Sequence, residues 1–184
     1  SGKGKLINQV TKGSWEVTQF YGYSPKNKRI YFQSTEPGSM NRGVYSIGIN
    51  GKNKQTLADK PGMNSAKFSH SFAYFILTHD QANTVPIYSL VDGKNGDILT
   101  VLEDNSRAKA YWKQKNPAPK VFSEIDINGV KLNSYMIKPK DFDPNKEYPL
   151  FMYLYGGPGS QQATNRADTF NFWWFQVLAD AGYV

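Results

Sequence analysis

The chain has 184 residues, 39% hydrophobic and 15% aromatic, with 16 glycines and 10 prolines, which supplies a core and favours turn-rich β structure over a helical bundle. It has no cysteine, which excludes disulfides and thiolate metal sites, and no apolar run near the roughly 20 residues of a membrane span. The net charge of +7 is spread through turns such as Lys26-Asn27-Lys28 and Lys52-Asn53-Lys54, so it reads as solvated loop charge and no nucleic-acid partner is expected.

Ser1-Gly2-Lys3-Gly4-Lys5 has no apolar core behind it and is not a signal peptide. Leu6 to Val10 reads as the outer strand of a unit that precedes this segment. An internal repeat follows. Ile30-Tyr31-Phe32 matches Ala73-Tyr74-Phe75, and Val44-Tyr45-Ser46-Ile47 matches Ile87-Tyr88-Ser89-Leu90, both at an offset of 43 residues. Asn50-Gly51 matches Asp92-Gly93 at an offset of 42. A period of this length built of short strands is the signature of propeller blades. A β-sandwich with coincidental similarity is the other reading. The first repeat predicts strands near 15–22, 28–34, 43–49 and 54–58, and the second near 66–71, 73–79, 86–91 and 97–102. Asn50-Gly51 and Asp92-Gly93 stand where hairpins that accept positive φ are expected. Two blades do not close a propeller, which has about 4–8.

Ser106 is positioned to cap a short helix over 107–115, which Asn116-Pro117 ends. Val121 to Ile127 and Val130 to Ile137 alternate polar and apolar residues around Asn128-Gly129, the strongest hairpin signal in the chain. Tyr148-Pro149-Leu150-Phe151-Met152-Tyr153-Leu154 reads as a buried strand. Tyr155-Gly156-Gly157-Pro158-Gly159-Ser160-Gln161 follows as a Gly-rich turn, and residues 169–182 read as a helix ending at Gly182. A strand, a Gly-rich turn and a helix form the unit in which α/β-hydrolases build half of an oxyanion hole. Donors there must already point at the oxygen that gains charge. Tyr155 closes the strand and can offer a phenolic O–H. The bland alternative is a structural turn in which Tyr155 packs on a neighbour.

No other catalytic group is apparent. There is no Gly-x-Ser-x-Gly. His70 and His79 read as surface or satisfied structural histidines, and Glu103-Asp104 as a solvated turn. No Walker-type loop or metal-spaced cluster occurs, so no metal and no cofactor are expected.

Taken together, the chain resembles the dipeptidyl peptidase IV branch of the prolyl oligopeptidase family of serine peptidases. The carriers are Thr11-Lys12-Gly13-Ser14-Trp15-Glu16-Val17, Val101-Leu102-Glu103-Asp104-Asn105-Ser106, and Tyr148-Pro149-Leu150 leading into Tyr155 to Gln161. The resemblance implies a mixed fold, with C-terminal blades of a β-propeller over 1–106 and the truncated start of an α/β-hydrolase domain over 107–184. It implies release of N-terminal dipeptides with proline or alanine second, from a periplasmic or secreted homo-oligomer. It makes Tyr155 an oxyanion-hole residue and leaves the Ser, Asp and His of a triad, and the groups that bind the substrate's amino terminus, outside this chain. The 184 residues alone are expected to be inactive, and their aromatic helix (Phe170, Phe172, Trp173, Trp174, Phe175) to promote self-association. Relatives lacking the serine make a non-catalytic interaction protein the alternative, with another peptidase of the same family a further one.

Overall fold

The structure is a computed structural model that describes residues 4–157, 159–167 and 169–184. The chain forms two compact units. One runs to Asp80 and takes in Pro86–Asp104; the other holds Gln81–Val85 and Asn105–Val184.

The first unit is two four-stranded antiparallel sheets. β1 (Val17–Ser24), β2 (Arg29–Ser34), β3 (Gly43–Gly48) and β4 (Gln55–Ala58) form one; β5 (Met63–Phe68), β6 (Tyr74–Asp80), β7 (Ile87–Asp92) and β8 (Ile98–Glu103) form the other. Each is a simple meander in sequence order, the form of a propeller blade. The sheets share a core of Tyr31, Val44 and Leu57 from the first and Phe75, Leu77 and Val91 from the second. On the far face of the first sheet, Phe32, Tyr45 and Ile47 are covered by Val10 and Trp15, and Trp15 stacks on Phe32 at 6.0 Å.

Two details differ from the sequence reading. Tyr31 pairs with Ser46 and Phe32 with Tyr45, so Tyr31 and Tyr45 lie on opposite faces of their sheet. Thr78 pairs with Tyr88, which puts Tyr74 and Tyr88 on one face. The second repeat match, at a constant 43-residue offset, therefore joins residues of opposite facing, because one residue of register reverses every side chain. In the β7–β8 turn, the positive φ falls on Gly96 (81°), not on Gly93. Gly93 is needed for another reason: a Cβ there would sit 2.1 Å from the Phe72 carbonyl oxygen. Leu6 and Ile7 form no strand and are exposed; only Val10 of that segment packs on the first sheet's core.

The second unit holds α1 (Ser106–Lys115), the hairpin β9 (Val121–Ile127) and β10 (Val130–Met136), and α2 (Thr169–Asp180). Asn128 (φ 55°) and Gly129 (φ 83°) make the two-residue turn between β9 and β10, as the sequence indicates. Ser106 lies inside α1; Asn105 takes the N-cap place in a left-handed conformation without a side-chain cap. Ala118, Ile137, Phe172 and Ala179 form the core, with Trp112, Tyr135, Trp173 and Phe175 against it. The aromatic patch expected on α2 is thus largely used up: Phe172 is buried, Trp173 and Phe175 are half-buried, and Trp174 remains exposed. Phe170's side chain lies outside what is described.

The buried strand expected over 148–154 does not form. Leu150 to Leu154 are exposed, and one rung only is made. Phe151 N–H donates to the Val184 carbonyl at 2.8 Å, and Val184 N–H donates to the Pro149 carbonyl at 2.9 Å. That pair of bonds is the pattern of a parallel ladder with Leu150 opposite Val184. A strand needs a continued ladder, and no further rung is present among the described residues.

Candidate oxyanion site

Tyr155 follows this rung at the turn between the Pro149–Leu154 segment and α2. Phe151 and Tyr153 stand four and two residues before it, and both rings meet Phe175 of α2, at 6.2 and 5.6 Å. Phe175 thereby ties the approach to the turn onto the helix. Tyr155 itself is 56% exposed. Its ring crosses the glycine turn. A Cβ built on Gly157 would lie 3.1 Å from Tyr155 Cε1 and 3.6 Å from its hydroxyl, and one on Gly159 would lie 3.9 Å from that hydroxyl. A side chain at Gly157 would crowd the phenol, so glycine there leaves the ring its place beside the backbone. Pro158, expected to stiffen the turn, lies outside the described residues. Beyond it, Gln162 Nε2 donates to Ser160 Oγ at 2.7 Å and Gln161 Nε2 to the Ala163 carbonyl at 3.1 Å. The turn therefore presents an exposed phenolic O–H close to Gly157, a group able to donate a hydrogen bond.

The other sequence candidates lie elsewhere. His70 is exposed. His79 is partly buried and its Nδ1 meets Asn64 Oδ1 at 2.9 Å. Burial, aided by Lys60 and opposed by Asp80, holds its pKa below the usual histidine value. Glu103 ends β8, with Asp104 just after it, and both are exposed. Among the described residues, no group of three His, Asp or Glu side chains could hold a metal ion, and no helix is long and apolar enough to cross a membrane. The sequence reading missed the placement of Tyr155 over Gly157; its signal was the small residue two positions after the tyrosine.

Paired four-stranded meanders define a protein with propeller-type sheets, and comparison with known proteins narrows the class. The pattern for the dipeptidyl peptidase IV (DPP IV) N-terminal region matches residues 1–86. The chain is 34% identical over 180 residues to a probable dipeptidyl-aminopeptidase B of Arthroderma gypseum, covering 95% of this chain and 19% of that protein. It is 31% identical over 180 residues to a protein of the same description from Penicillium rubens, covering 95% and 20%. The crystal structure of Porphyromonas gingivalis dipeptidyl peptidase 4 matches with a TM-score of 0.86 and 34% identity, over 99% of this chain and 25% of that one. A putative dipeptidyl aminopeptidase IV of Bacteroides ovatus matches with a TM-score of 0.77 and 26% identity, over 96% and 25%. The chain is thus similar to dipeptidyl peptidases of the DPP IV type over nearly its whole length. It spans about a fifth of the length of the curated relatives it matches.

Proposed function

We propose that the chain is the part of a serine peptidase that carries one oxyanion donor, in an enzyme releasing N-terminal dipeptides with proline or alanine second. In this reading residues 1–106 are the last propeller blades and residues 107–184 open an α/β-hydrolase domain. The complete enzyme would be a homo-oligomer acting on peptides. Serine, aspartate and histidine of the triad would come from sequence outside these residues. Serine Oγ would attack the carbonyl after the second residue while histidine takes its proton. The Tyr155 O–H and a backbone N–H would then hold the oxyanion.

The observation that carries this reading is the Tyr155 phenol lying across Gly157. Support comes from the turn's setting, where the Leu150–Val184 rung pairs chain on either side of α2 in parallel, as a strand–helix–strand crossover requires. Removing one oxyanion donor costs about 100- to 1,000-fold in turnover. Tyr155→Phe in the complete enzyme, assayed on a dipeptide substrate with proline second, is expected to lower turnover at least about tenfold and leave the melting profile unchanged. Unchanged turnover would remove the role.

A further inference from the structure

The second sheet presents a polar corner that the proposed peptidase chemistry does not use. Asn64 on β5 is 1% exposed, and its carboxamide is fully engaged. Nδ2 donates to the Arg42 and Lys60 carbonyls at 2.8 and 2.7 Å, and Oδ1 meets His79 Nδ1 at 2.9 Å. Both amide hydrogens are spent, so the oxygen can only accept and the proton sits on His79 Nδ1. In the neutral ring Nε2 is then an acceptor, and it has no hydrogen bond among the described residues.

Ser89 lies beside it. Leu77 pairs with Ser89 and His79 with Ile87, which puts His79 and Ser89 diagonally on one face of the sheet. Ser89 is 4% exposed, and its hydroxyl has no partner among the described residues. Both side chains line a cavity of about 220 Å³. Leu57, Leu77, Ile87 and Ile98 supply apolar walls, and Asp59 and Lys60 stand at its first-sheet side. The Ser89 hydroxyl opens onto this cavity and is free to donate to a ligand there.

Charged groups of both signs, Lys60 and Asp59, line the cavity, and a ligand is placed by the donors it can reach. Ser89 offers an O–H. Lys60 offers an ammonium. The charged groups around His79 are Lys60, Asp59 and Asp80; Lys60 opposes protonation of the ring and Asp80 favours it. A bound anion would offset Lys60 and let Nε2 carry a proton, turning an acceptor into a third donor. The aliphatic walls and the volume suit an anion with an alkyl group better than a bare halide. We propose that this cavity binds a small aliphatic carboxylate, held by Ser89 Oγ–H, by the protonated Nε2 of His79 and by the Lys60 ammonium. One proton is taken up at His79 for each anion bound.

The test is an NMR titration of the 184-residue chain with propionate, following the ring Cε1–H signals of both histidines at about pH 6 and about pH 8, with sodium chloride at equal ionic strength as control. His79 should shift saturably with propionate while exposed His70 does not. Affinity should fall at least about tenfold from the lower pH to the higher, because the proton must then be supplied from solution. Ser89→Ala should weaken binding about fivefold, the worth of one hydrogen bond, with the His79 titration in the free protein intact. If Ser89→Ala alters the melting profile, Ile98→Trp, which fills the cavity from β8, should abolish binding instead. No saturable shift, an equal response to chloride, or a response unchanged in both variants would overturn the proposal.

Discussion

Gln176 on α2 clamps the backbone on both sides of the Ala118 Cα: its Oε1 receives the Ala118 N–H at 2.7 Å, and its Nε2 donates to the Ala118 carbonyl at 2.9 Å. Both residues are buried. A segment that leaves α1 through Asn116-Pro117 has main-chain groups with no ladder to join, and one amide side chain satisfies two of them. Gln176→Leu keeps the volume but strands that donor and acceptor. The expected loss is about 2–4 kcal/mol, since each buried unpaired group costs about 1–3. Urea unfolding followed by the fluorescence of Trp112 and Trp173 measures it, and a loss under about half a kcal/mol would show that water replaces the clamp.

Phe72 is the bulky residue of its turn and holds a left-handed φ of 59°. Its ring stacks on Tyr31 at 4.6 Å and reaches toward Gly22. A Cβ on Gly22, where φ is 143°, would come within 2.6 Å of Phe72 Cζ. The aromatic anchor compensates the strained backbone, and the glycine makes room for the ring. Gly22→Ala should therefore destabilise by about 1–3 kcal/mol. In a Phe72→Ala background the same change should cost much less, because the clash is gone and only the backbone penalty remains. A double-mutant cycle in urea tests this; additive losses would mean that the contact with Phe72 is not the cause.

How much of this was legible depends on where the information resides. Asn128-Gly129 is a local signal, and the two-residue turn it dictates is the one that forms. The eight strands of the first unit follow from apolar runs between turn residues. The facing of Tyr88 against Tyr45 is a matter of pairing register, which no offset along the chain carries. The Tyr148–Leu154 run has the composition of a buried strand, but a strand is made by its neighbours, and among the described residues only Val184 pairs with it. Gln176 looked like one polar residue on an aromatic helix. Its place four after Phe172 and three before Ala179, both buried, was the available sign that it faces inward. Tyr155 was legible as a candidate from its motif, while its ring position beside Gly157 was marked only by the small residue two positions on.

The burial of His79 makes stability depend on pH. Burial first, then Lys60, lowers the His79 pKa below 6.5, with Asp80 acting the other way. The unfolded chain takes up a proton at this histidine near its ordinary value, and the folded chain does so only at lower pH. Between those two values the unfolded state binds more protons, so stability falls as pH falls through that window and is fully present above it. In carboxylate-free buffer, urea midpoints at about pH 7.5 and about pH 5.5 should differ more for the native chain than for His79→Gln. Equal differences would place the pH dependence on other groups.

The hairpin β9–β10 concentrates exposed apolar surface. Its register sets Val121 opposite Met136, Ile125 opposite Leu132 and Ile127 opposite Val130 on one face, with Ser123 and Ser134 joined at 2.8 Å between them. All six apolar residues are between 42% and 59% exposed. The hairpin is a two-stranded sheet, so both strands also present unpaired backbone edges. This surface, more than α2, should drive self-association of the 184-residue chain. Ile125→Thr with Leu132→Thr places two hydroxyls at the centre of the face and keeps β-branched residues in both strands. Light scattering across a concentration series should show association of the native chain and a clear reduction in the double variant. If Trp174→Gln reduces it and the hairpin pair does not, the exposed edge of α2 is the sticky surface instead.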